Sequence, residues 1–78
     1  MSWHFQVMRH TVEFSEGDVE HFYAVHEFFE FDDGKTGWTD ICQVDGGSKE
    51  DVEWTLKTML QDVQSRGIRD YETGEKLE

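Results

Sequence analysis

Between residues 3 and 44, large apolar side chains recur at every second position in three separate runs. After DGGS at 45–48 the spacing changes to three and four. That change of period constrains the fold more than any other feature. Period two belongs to strands with one buried face, and a period near 3.6 belongs to an amphipathic helix. A chain with three such runs and one helix must build a sheet and cover it with very little material.

In WHFQVMRH (3–10), Trp3, Phe5 and Val7 share one side, while His4, Gln6, Met8 and His10 share the other. FSEGDVE (14–20) reads as a loop. Residues 21–31 form a second strand in which Tyr23, Val25, Glu27, Phe29 and Phe31 alternate with Phe22, Ala24, His26 and Phe28. Asp32-Asp33-Gly34 is a reversal signal, because glycine takes the positive φ that a Cβ makes costly. Residues 38–44 supply a third strand. Ser48, with Asp51 three residues on, resembles a capping box, and Glu50 and Asp51 suit the positive end of a helix dipole. Val52, Leu56, Met59, Leu60 and Val63 then mark one stripe of a helix over 49–66, flanked by a Glu53–Lys57 pair and stopped at Gly67. The expected fold is α+β: a three-stranded antiparallel meander with one helix packed on one face (β-β-β-α). A short fourth strand at 68–71 is an added option. ETGEKLE is expected to fray. Leu77-Glu78 reads as the remnant of an expression tag, which leaves a single domain at 1–76.

A chain of 78 residues buries only about 60% of its unfolded surface, and one helix shields one face of a sheet. The expected arrangement sets Trp3, Phe5, Val7, Tyr23, Val25, Phe29 and Trp38 against the helix. Gln6, Met8, Phe22, Ala24, His26, Phe28 and Ile41 are then left on an uncovered face. Such a surface exceeds scattered exposure and reads as a docking face for a second copy or a protein partner. The competing expectation is that the 14–20 loop, with Phe14 and Val19, folds beneath it. Trp54 lies nearly opposite the helical stripe and joins the candidate interaction residues Gln6, Met8, Phe22, His26 and Phe28.

Charge narrows the partners. The net charge is −11, from 18 acidic and 7 basic residues, and no cationic cluster exists to displace phosphate counterions. Direct nucleic-acid binding and anionic membrane surfaces are therefore not expected. One cysteine, Cys42, permits no internal disulfide and fits a reducing cytoplasm. No basic-then-apolar leader and no long apolar run is visible, so neither export nor a membrane span is expected.

Glu27 falls among apolar neighbours and needs a partner, and Arg9 is the expected mate in a structural ion pair. His4, His10, His21 and His26 have no metal-ligand spacing. EFDDG lacks the calcium-loop pattern, and the serines and Gly46-Gly47 lack nucleophile-elbow or phosphate-loop settings. No catalytic residue, cofactor or metal is assigned, and a non-enzymatic interaction module is the leading expectation. Its alternatives are an acidic nucleic-acid mimic that inhibits a DNA- or RNA-binding enzyme and is encoded by a phage or mobile element, and a weak metal binder.

Trp3, Phe5 and Val7, then Val25-His26-Glu27-Phe28-Phe29, then Gly34, then Gly37-Trp38-Thr39, then Leu56, Met59 and Leu60 follow a recurring order. It resembles that of a widespread group of small uncharacterised proteins of bacteria and their phages. The likeness covers most of residues 3–63. It implies a small three-stranded sheet with a helix and brings no established activity.

Overall fold

The computed structural model covers residues 1–78. Its elements are β1 (Ser2–Glu13), β2 (Val19–Glu30), β3 (Thr36–Ile41), α1 (Lys49–Ser65) and β4 (Ile68–Asp70). The sheet order is β3-β2-β1-β4. β1, β2 and β3 form the expected antiparallel meander, while β4 lies parallel to β1. The architecture is therefore α+β with a mixed four-stranded sheet.

The first two strands are longer than their apolar alternation suggests. Their ladder runs without a break from Ser2 opposite Glu30 to Glu13 opposite Val19. The loop shrinks to residues 14–18, where Phe14 N–H donates to Asp18 O at 2.9 Å and Gly17 supplies φ +84°. At the other hairpin Gly34 adopts φ +85°, and Phe31 N–H donates to Lys35 O at 2.8 Å. The helix begins as its sequence indicates: Ser48 Oγ accepts from Asp51 N–H at 3.2 Å.

The covering of the sheet departs from expectation. α1 rests chiefly on β1. It turns Met59, with Val52, Thr55 and Asp62 partly buried, toward the strands. Asp62 Oδ2 accepts from the Phe5 N–H at 2.9 Å, on the stretch of β1 before β4 joins. Leu56, Leu60 and Val63 of the expected inward stripe remain exposed. The face with His4, Gln6, Met8, His26 and Phe28, expected to be open, is the better buried of the two.

Residues 68–78 provide that cover. This segment turns back on itself through Asp70 N–H to Glu75 O and Leu77 N–H to Ile68 O, both 2.8 Å. Arg69 places its guanidinium 4.3 Å from the centre of the Phe28 ring and donates from Nη1 to Gly74 O at 2.8 Å. Tyr71 stacks on His10 at 4.0 Å. Gly74 lies against Trp38, which itself stacks on Phe28 instead of facing the helix. The segment expected to fray is thus a strap, and its last two residues hydrogen-bond back to Ile68. The N-terminal loop is not the cover: Phe14 and Val19 are exposed. Full burial of Phe28 and Met8 contributes about 1.5–3 kcal/mol for each side chain.

Gly74 tests the strap. It holds φ +77°, and a Cβ there would meet Trp38 Cζ3 at 2.6 Å. Gly74→Ala is expected to destabilise the protein by about 2 kcal/mol or more, seen as a lower urea midpoint. An unchanged midpoint would mean that the strap contributes nothing to the core.

Candidate functional site

The expected interaction residues divide sharply. Met8, His26 and Phe28 are completely buried and Gln6 nearly so, so they cannot form a docking face; the strap occupies the position assigned to a partner. Gln6 instead ties the sheet to the end of the helix: its amide donates to Val7 O and Gly67 O, and its oxygen meets His4 Nε2 at 2.9 Å. Phe22 stays half exposed, stacked on His10 at 4.4 Å. Trp54 is 60% exposed.

The Arg9–Glu27 pair does not form. Arg9 lies opposite Tyr23 and Glu27 opposite Phe5. Four residues of strand separate them, about 13 Å, beyond the reach of both side chains. Shared parity gave the same face but not the same place along it. Arg9 Nε is enclosed with no hydrogen-bond partner. The Glu27 backbone N–H donates to Thr39 Oγ1 at 3.1 Å.

Beneath the strap, His10 Nε2 and His26 Nε2 are 2.8 Å apart, and His26 Nδ1 lies 2.7 Å from Thr39 O. A carbonyl only accepts, so His26 Nδ1 carries a proton, and of the two facing Nε2 atoms one donates to the other. Burial, followed by the neighbouring His26, lowers the pKa of His10 below its ordinary 6.5, against an opposing pull from Glu72. Each imidazole nitrogen at the contact already has its partner. No group of three or more His, Cys, Asp or Glu residues is disposed to hold a metal.

Two concavities have ten or more lining residues. A polar cleft of about 300 Å³ is lined by Arg66, Arg69 and Lys76 together with Glu30 and Glu78. Its charges largely offset one another, and Arg69 is already engaged with Gly74 and Phe28.

The second is a groove of about 470 Å³ between the helix and the other side of the sheet, with Trp3, Phe5, Ile41, Trp54 and Met59 as its apolar lining. Its rim carries Glu27, Asp40 and Asp45, and no Lys or Arg lines it. It exists because α1 lies on β1 and leaves the β2–β3 side open. Trp3 and Phe5 meet edge to face at 5.3 Å in its floor. Cys42 is also in the wall. Burial and the nearby Glu27 carboxylate push its thiol above its ordinary pKa, only partly opposed by hydrogen bonds involving Thr39 and the Glu27 backbone. A thiol held protonated is a poor nucleophile. Of the expected interaction residues Trp54 alone belongs to this groove, and Glu27, expected in an ion pair, stands on its rim. Ile41, expected on the uncovered face, lines this groove instead, beyond the register shift in the β2–β3 pairing. Trp3, expected to be covered by the helix, was missed because alternation assigns a sheet face without showing how little of it the helix covers.

No helix is long and apolar enough to cross a membrane. No protein-family model, curated protein or solved structure matches the chain.

Two outcomes follow from the titrating groups. His10 favours its neutral form when folded, so its contribution to stability is present above about pH 6.5 and is lost as the pH falls from there toward the lowered folded value. Thermal melts should fall between pH 7 and 5.5 in the wild type, and His10→Gln should flatten that slope. An equal slope in both proteins would remove His10 from the linkage. Cys42 should react with iodoacetamide at neutral pH several-fold more slowly than a free thiol, and Glu27→Gln should speed it, since thiolate is the reacting form.

Proposed function

We propose that this chain is a non-catalytic docking module that receives a protein partner in the groove beside Trp54. The ligand that fits is a short segment with one bulky apolar side chain flanked by Lys or Arg. The carrying observation is the pairing of an apolar floor and an exposed Trp54 with an all-acidic rim of Glu27, Asp40 and Asp45. Exposed tryptophans beside a pocket are frequent binding anchors. A one-signed rim selects the opposite charge and speeds encounter with it, and the chain's net charge of −11 acts in the same sense. This moves the interaction surface from the strapped face to the helix side of the sheet.

A fluorescein-labelled decapeptide with a central Leu-Phe and two lysines on each side tests the reading by anisotropy. Binding should weaken as salt rises, and a peptide with glutamates in place of the lysines should not bind. Trp54→Ala should weaken binding roughly 30-fold, the loss typical of a hot-spot residue. Equal affinity of Trp54→Ala and wild type, or equal affinity for the two peptides, sinks the proposal.

A further inference from the structure

The opposite flank of α1 poses a separate problem. Leu56 and Leu60 are 52% and 57% exposed, and Val63 continues their line one turn on. They lie well away from Trp54: Leu56 is roughly 160° around the helix axis from it at 100° per residue. Whatever enters the groove therefore leaves this stripe bare.

The overall dimensions say how much surface is uncovered. A compact monomer of 9.2 kDa should expose about 4,900 Å² by the usual scaling of area with mass. This chain exposes 5744 Å². Its radius of gyration is 14.3 Å, against about 11.5 Å for a compact domain of its length. The excess of roughly 800 Å² belongs to the whole elongated molecule, 46 × 32 × 20 Å, and the stripe supplies part of it; it is of the size that each partner contributes to a standard protein–protein interface. The buried apolar core is correspondingly thin, limited to Phe5, Met8, Phe28 and Met59. Chains of this size with so little core depend on additional support, and oligomerisation is one form of it.

We infer that a second copy of this chain covers the stripe, with α1 packed antiparallel on α1 of its partner about a twofold axis. Such an interface is isologous: Leu56 meets the partner's Leu60, Leu60 meets the partner's Leu56, and the two valines flank them. A second copy is always present at matching concentration, as a partner that completes a core must be. The flanking Glu53–Lys57 pair, 3.1 Å apart on each helix, leaves the helix at this point without the one-signed character of the groove rim, so like chains can approach there. Folding and association are then coupled.

Sedimentation equilibrium from 1 to 100 µM, with thermal melts over the same range, tests this without any substitution. The expected results are a species of twice 9.2 kDa and a melting midpoint that rises with protein concentration. Because each chain carries −11, added salt should tighten the dimer, the reverse of its effect on a basic peptide in the groove. Leu56→Asp with Leu60→Asp should raise the dissociation constant at least 100-fold. Trp54→Ala should leave the dimer unchanged, which separates this interface from the groove. A 9.2 kDa species at 100 µM with a concentration-independent midpoint overturns the inference. So does a dimer that survives the double aspartate substitution, since it must use another surface.

Discussion

The contact between the Arg69 guanidinium and the Phe28 ring carries more of this fold than its size suggests. Phe28 sits near the C-terminal end of β2, with His4 opposite it on β1 and Trp38 opposite it on β3. Left open, that side of the sheet would expose Met8, Phe28 and Trp38 together, and nothing in the helix reaches them. Arg69 covers the ring with a weakly hydrated planar cation, extends its stem over neighbouring apolar surface, and still donates to Gly74 O. A lysine could not stack in this way. Tyr71 on His10 and the bare backbone of Gly74 on Trp38 complete a lid made of one cation, one phenol and one glycine.

Once the strap closes one face, the helix has only the other to attend to, and it attends to part of it. Its anchors are Met59 against the strands and Asp62 on the Phe5 N–H. An acid in the last turn of a helix that caps a strand N–H fixes that end of the helix over β1 and so leaves the β2–β3 side open. The groove and the bare leucine stripe are two results of this one placement. They flank the same seam, one with a charged rim and one without.

The hairpins, the helix start at Ser48 and the order of elements were legible because each depends on neighbours in sequence: a glycine where φ is positive, a serine oxygen three residues before a free N–H, a period that changes at DGGS. Which face each layer covers was not legible in that way. Alternation correctly put Met8, His26 and Phe28 on one side of the sheet, but said nothing about what lay above them. The strap was misread because its cover is not apolar in composition: ETGEKLE offers no hydrophobic side chain before Leu77, and it works through Arg69, Tyr71 and a glycine backbone. The Arg9–Glu27 pairing failed for a related reason. Parity assigns a face, whereas the register set by the hairpin assigns a position, and Glu27 falls opposite Phe5. Trp54 was recognisable because its helical angle alone removes it from the buried stripe.

A sheet with this much exposed apolar surface is at risk of adding strands from its neighbours, yet both of its edges are blunted. At one edge β4 spans only Ile68–Asp70, and its outer side is occupied by the chain's own return, through Asp70 N–H to Glu75 O and Leu77 N–H to Ile68 O. At the other, β3 spans Thr36–Ile41, its pairing with β2 is broken by a bulge, and it carries Asp40. Short, bulged and charged edges discourage strand addition. The strong net negative charge further opposes open-ended growth. What these features leave available is side-chain packing on the helix: a closed contact that a twofold axis can satisfy once, after which the apolar stripe is spent.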